Sequence, residues 1–182
     1  EKKGMVEVIS SLETDGRKIP YDIRMGVWVT VEGETEYVRN CFEEYNAHTD
    51  PSGRYFTLYK RWHLIGLEVG YSVASLALRH EATGVAHCWN ADVVATAKRD
   101  LAPGEMLDGE GGYTVWGKLL PAATSMKLGG LPLGLAHQVK VVRPVKQGQS
   151  LSWDDVAMDT STQAYAVRRE MEALFPTREA LR

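Results

Sequence analysis

No stretch of this chain approaches the roughly 20 consecutive apolar residues that a membrane-spanning helix needs, and its opening residues, Glu1-Lys2-Lys3-Gly4-Met5, do not lead into the apolar core of a signal peptide. Cysteine is nearly absent. Cys41 and Cys88 stand far apart, with neither the number for a disulfide framework nor the spacing of a metal site. The expectation is a cytoplasmic protein with no membrane partner. A basic excess is missing too: 21 Lys and Arg against 24 Asp and Glu leave a net charge of -3, which disfavours nucleic acid as a partner. No GxGxxG opens a helix, because Gly109-Glu110-Gly111-Gly112 and Gly129-Gly130 lie in β-rich sequence. No GxSxG elbow supports Ser/His/Asp catalysis, and no His/Asp/Glu cluster specifies a metal site.

What is there is ordinary for a globular protein: 182 residues, 44% apolar and 25% charged, enough for one average domain or two small ones. The chain opens without an initiator Met on the alternating Met5-Val6-Glu7-Val8-Ile9, which reads as a strand in a piece of a longer polypeptide. A turn at Thr14-Asp15-Gly16-Arg17 precedes a β-branched run, Gly26 to Val31, read as a second strand. From Thr35 the period changes. Val38, Cys41, Phe42 and Tyr45 form one stripe of a helix ending near Asn46, and Cys41 on that stripe is read as a small buried hydrophobe, not a nucleophile. The breaker segment His48 to Gly53 is a loop.

The longest helix is expected from Thr57 to His80, with Gly84 as its stop. Leu58, Trp62, Ile65, Val69, Val73 and Leu76 mark one side, and Tyr59, His63, Gly66, Gly70, Ala74 and Ala77 the other. Bulk on one side and small residues on the other describe a helix covered on both, central to its domain or at a dimer interface. Short β runs follow from about Asn90, and a last helix runs from Gln163 to Phe175, stopped by Pro176.

The β-rich region repeats itself. Lys98 to Leu107 aligns with Val142 to Leu151 at a constant offset of 44 positions, with Gly104 and Gly148 in equivalent turns. The segment from Asp92 to about Asp159 resembles the SAF domain of sialic acid synthases, type III antifreeze proteins and flagellar basal-body chaperones: "VVATAKRDLAPGEMLD" is similar to its first hairpin and "HQVKVVRPVKQGQSLSWDDVAMD" to its closing one. That resemblance implies a pseudo-twofold β-clip. Together with "TDPSGRYFTLYKRWHLIGLEVGYSVASLALRHEATG", "LDGEGGYTVWGKLLPA" and "LGGLPLGLAHQVK", nearly the whole chain looks like the rear of the homoserine-dehydrogenase-like oxidoreductases that carry an SAF tail. That group includes enzymes similar to 1-deoxy-D-xylulose 5-phosphate reductoisomerase.

The resemblance implies an α+β chain: the remainder of a catalytic and dimerisation domain of partial α/β type (residues 1–90), an SAF-type β-clip (91–159) and a carboxyl-terminal helix (160–182). It also implies a homodimer, a small-molecule substrate, NAD(P) bound by a Rossmann domain that these residues lack, and no cofactor on this fragment alone. A substrate with hydroxyl or phosphate oxygens needs cationic donors and a proton carrier. The densest supply is Arg54, Tyr59, Lys60 and Arg61 for binding, with His63 as the catalytic candidate, placed with Tyr59 at i, i+4. The plain alternative for His63 is a hydrogen-bonded interface residue. Asp154 and Asp155 are expected to make a turn or helix cap. A second function class stays open, a non-enzymatic carbohydrate-binding or chaperone-like SAF module.

Overall fold

The computed structural model describes residues 6–13, 15–22, 25–62, 64–175 and 177. They form two compact units, Ile9–Gly84, and Val85–Arg182 with Glu1–Val8. Helices and strands occur in comparable measure, so the chain is α+β. Among the described residues no helix is long and apolar enough to cross a membrane.

The unit Ile9–Gly84 is built on a hairpin. Strands β1 (Val27–Glu32) and β2 (Tyr55–Lys60) pair antiparallel, with helix α1 (Glu36–Glu44) between them in sequence. The helix starts because the Thr35 hydroxyl accepts the Val38 N–H at its amino end, and it ends at Tyr45, where Asn46 takes φ 56°. Phe42 packs on Phe56 of β2 with ring centroids 5.4 Å apart. Cys41 beside it is half-buried, not fully buried as expected. The loop before β2 is organised by Asp50, whose carboxylate accepts N–H bonds from Ser52, Arg54 and Tyr55.

Two expectations fail here. Residues 6–9 form no strand, and Val8 is 79% exposed, so alternation alone does not make a strand without a partner. The long helix begins much later than Thr57: Tyr55–Lys60 is strand, and helix α2 spans Ile65–Ala74 before running into a π-helical turn, Ser75–Arg79. The stripe Leu58 to Trp62 fits a period of 3.6, but Tyr55-Phe56-Thr57-Leu58-Tyr59 also alternates, and pairing with β1 decides. The stop is His80, in the left-handed region at φ 56°, not Gly84.

The other unit holds the main core. Strand β3 (Ala91–Ala97) pairs antiparallel with β5 (Val115–Pro121), and β6 (His137–Val141) lies between β4 (Met106–Asp108) and β7 (Val156–Ala157). The repeat seen in the sequence organises both hydrogen bonds and core. Leu101 and Val145, 44 positions apart, exchange backbone bonds at 2.8 and 3.0 Å. Gly104 N–H donates to Val141 and Gly148 N–H to Ala97, while Val141 donates to Glu105 and Ala97 to Gln149. Each bond has its counterpart under the same exchange. The buried pairs Ala95 and Val139, Ala97 and Val141, Leu101 and Val145, and Leu107 and Leu151 follow it as well.

Gly104 (φ 95°) and Gly148 (φ 79°) occupy equivalent turns with open space where a Cβ would stand. Their cost on substitution is therefore backbone strain alone. Gly104→Ala and Gly148→Ala should each destabilise the protein by roughly 1–2 kcal/mol, and by similar amounts, read as shifts in urea midpoint.

A short helix, α3 (Ala122–Leu128), closed by Gly129 at φ 62°, interrupts the β region and was not foreseen. Trp153–Asp155 is a single 3-10 turn in which Asp155 accepts from both the Ser152 N–H and its hydroxyl, the capping role expected of it. Helix α4 (Gln163–Leu174) starts at Thr162, as the periodicity predicts; its expected stop, Pro176, lies outside the described residues. Arg168 ties α4 to β3: it grips Asp92 through two bonds of 2.9 and 2.6 Å, bonds Glu172 at 2.8 Å, and lies 4.6 Å over the Trp89 ring.

Candidate functional site

The hairpin has two unlike faces because directly paired residues share a side. Val27, Val29 and Val31 stand with Lys60, Leu58 and Phe56. The other face sets Trp28 beside Tyr59, Thr30 beside Thr57, and Glu32 beside Tyr55. On this second face the Thr30 and Thr57 hydroxyls are hydrogen-bonded at 2.9 Å. The Tyr59 ring covers Gly26 so closely that a Cβ there would lie 2.5 Å from Cε2, which leaves only glycine at that position. Arg54 donates from Nε to Glu32 at 2.7 Å, and its guanidinium lies 5.7 Å over the Tyr55 ring. The Asp50 carboxylate that shapes the approach to Arg54 is held below the usual carboxylate range by the Ser52 hydroxyl and the Tyr55 N–H, against a small opposing effect of burial.

Of the residues chosen from the sequence, Arg54 and Tyr59 thus belong to one face, at opposite ends of a row of hydroxyls. The row from Tyr55 to Tyr59 spans about 13 Å at strand spacing. Lys60 belongs to the other face and pairs with Glu68 at 2.5 Å. Arg61 lies 5.5 Å over the Trp62 ring. His63 lies outside the described residues, and the shared helical face once assigned to it and Tyr59 falls because Tyr59 is in a strand. Trp28, Thr30, Glu32 and Thr57 were missed. Their signal was the period-2 alternation of Val-Trp-Val-Thr-Val-Glu against Tyr-Phe-Thr-Leu-Tyr-Lys, legible once both runs are read as strands.

This face can accept and donate hydrogen bonds through hydroxyls, stack a ring on an aromatic surface, and offer a guanidinium already balanced by a carboxylate. Such a neutral, amphipathic row suits a hydroxylated compound.

The glycine-rich segment after β4 is built for something else. The residues just after it hold an anion: Asp108 accepts from the Tyr113 N–H at 2.6 Å, the Thr114 N–H at 3.0 Å and the Thr114 hydroxyl. These bonds, led by the Thr114 hydroxyl, lower the Asp108 pKa to about 2. An NMR titration should find its carboxyl midpoint near 2 in the wild type and raised in Thr114→Val, though still below the ordinary carboxylate range because the Tyr113 and Thr114 N–H bonds remain. The other glycine pair, Gly129-Gly130, follows α3 and does not open a helix. All named strand pairs are antiparallel. The described residues therefore do not fit a dinucleotide cradle, which needs a glycine turn opening a helix in a parallel βαβ unit.

Against α4, Pro132, Leu135, Val167, Met171 and Leu174 line an open apolar depression of about 520 Å³. Among the described residues no three His, Cys, Asp or Glu side chains gather as a metal site. No curated protein matches the chain. Residues 1–69, which include both strands of the hairpin and the first turn of α2, match the family model described as Oxidoreductase DRL, catalytic domain. The amino-terminal part of the chain is thus similar to the catalytic domain of an oxidoreductase.

Proposed function

We propose that this chain is the carboxyl-terminal part of a cytoplasmic NAD(P)-dependent oxidoreductase of the homoserine-dehydrogenase-like, reductoisomerase-like kind, acting on a small hydroxylated or phosphorylated compound. The observation that carries the reading is the overlap between the oxidoreductase match, residues 1–69, and the hydroxyl-rich face of β1 and β2. The coenzyme is held by a Rossmann domain outside these residues, since the described ones do not fit it. When bound there, NAD(P) supplies or removes a hydride. This chain's part is to bind and orient the substrate. Thr30, Thr57 and Tyr59 bond its hydroxyls, Arg54 bonds a terminal oxygen, and His63 carries a proton to or from the reacting oxygen.

The repeated unit carrying Gly104 and Gly148 is assigned to the SAF-type β-clip. Its exchange-related bonds and core are what a pseudo-twofold clip requires. That self-contained core also favours a second reading, a free-standing carbohydrate-binding or chaperone-like module. The two readings separate in one assay. Reduced coenzyme consumption by the complete reading frame, tested against small hydroxy acids and sugar phosphates, should appear and should fall with Tyr59→Phe. Glycan binding by this chain, with no coenzyme turnover in the complete protein, would favour the module.

A further inference from the structure

The hydroxyl row of the hairpin ends in an ion pair whose geometry is fixed from the backbone. Arg54 meets Glu32 through Nε, at 2.7 Å, and through a terminal nitrogen. The chain is pinned on both sides of the Arg54 side chain: the Asp50 carboxylate accepts the Arg54 N–H at 3.1 Å, and the Arg54 carbonyl accepts the Gly33 N–H at 2.8 Å. Ion pairs between long surface side chains usually contribute little because both chains must be held still. Here strand register, with Glu32 opposite Tyr55, and the Asp50 turn bring the two together before either side chain is ordered. The Arg54 side chain is 53% exposed and that of Glu32 only 14%, so the guanidinium is open to a ligand while the carboxylate is the better shielded from screening by solvent. Neighbouring cations are engaged elsewhere. Arg39 donates to the Gly33 and Glu34 carbonyls at 3.1 and 3.4 Å, Lys60 pairs with Glu68 on the opposite face, and Arg61 lies over Trp62.

We propose that Glu32 determines specificity on this face: by answering the charge of Arg54, it makes the site prefer an uncharged polyhydroxyl compound, a sugar or polyol, over the same compound bearing a phosphate. An anionic group that reaches Arg54 also comes beside the Glu32 carboxylate, and loses to one charge much of what it gains from the other. A hydroxyl carries both a donor and an acceptor. Two adjacent hydroxyls on one carbon chain can therefore donate to Glu32 and accept from Arg54 at once. Along the row, the Thr30 and Thr57 hydroxyls continue the same pattern, and Tyr59, 45% exposed, with Trp28 beside it, offers an aromatic surface to the carbon skeleton. The inference rests on the reading of this face as the one that binds substrate, and it narrows that reading by ranking hydroxylated compounds above phosphorylated ones.

The whole chain can be titrated with sorbitol and with sorbitol 6-phosphate while NMR follows the Trp28 indole N–H, the Thr30 and Thr57 amides and the Arg54 Nε–H. The uncharged compound should bind about tenfold or more tightly than its ester. Glu32→Gln keeps the shape of the side chain and removes its charge, so the ester should gain about tenfold, with an affinity that falls as salt is added. Adding Arg54→Gln to that variant should abolish the ester's gain. A chain that prefers the ester, a preference unmoved by Glu32→Gln, or no shift along the row with either compound would each overturn the proposal. Coenzyme turnover by the complete protein is a separate readout. Faster turnover of the ester would keep the oxidoreductase reading and remove this one, whereas polyol binding that depends on Glu32, without turnover, would do the reverse.

Discussion

Arg168→Met is expected to cost about 3–5 kcal/mol, because it strands a buried carboxylate. Asp92 is 7% exposed, and without Arg168 its remaining side-chain donor among the described residues is Ser125, at 2.6 Å. Thermal unfolding should move down by roughly 10–20 °C. A control separates loss of charge pairing from loss of packing: with Asp92→Leu added, much of the deficit should return, since an apolar pair of similar volume replaces an ion pair at little net cost. The pH dependence gives a second signature. Burial raises the Asp92 pKa, but the bonds from Arg168 and Ser125 outweigh it, and the carboxyl sits below its ordinary value. A depressed folded pKa means that this stabilisation is complete above about pH 4, the unfolded value, and is lost as pH falls through the folded one. In Arg168→Met burial is far less opposed and the folded pKa rises above the unfolded one. The variant should then gain stability, relative to wild type, on going from neutral pH toward pH 5. Melts at both pH values decide between the two trends.

The other large effect belongs to the reaction. On the proposed assignment of His63 as proton carrier, His63→Asn in the complete protein should lower kcat by about 10²–10⁴-fold with little change in KM, since a polar side chain of similar size is kept. With Arg54 and Tyr59 in their proposed binding roles, Arg54→Ala and Tyr59→Phe should act mainly on KM. A His63→Asn enzyme with wild-type kcat across the pH range would remove His63 from the chemistry.

The parts of this fold legible in the sequence are those where local chemistry and tertiary contact agree. Thr35 caps α1 and Thr162 caps α4 at positions their periodicity marks, and the offset between Gly104 and Gly148 foretold a symmetric bond set. The failures lie where a partner decides. Tyr55 to Lys60 satisfies two periods at once, and only its pairing with β1 makes it a strand. That one error moved Tyr59 from a helix to a sheet and hid Trp28, Thr30 and Thr57, which reach the site by cross-strand register and not by proximity in sequence. Helix α3 went unseen because seven residues between Pro121 and Gly129 are too few to show a stripe. Its ends were nevertheless marked by the two residues that most often punctuate helices.

The reciprocal bonds between Leu101 and Val145, and between each glycine turn and the opposite strand, have a thermodynamic consequence. For the amides of Ala97, Leu101, Gly104, Val141, Val145 and Gly148, the acceptors lie in the opposite half of the repeat. Opening one half strips the other of its partners, so partial unfolding along the repeat gains little entropy for the bonds it sacrifices. The amides of Ala97, Leu101, Gly104, Val141, Val145 and Gly148 therefore belong to one cooperative block, whose protons leave together or not at all.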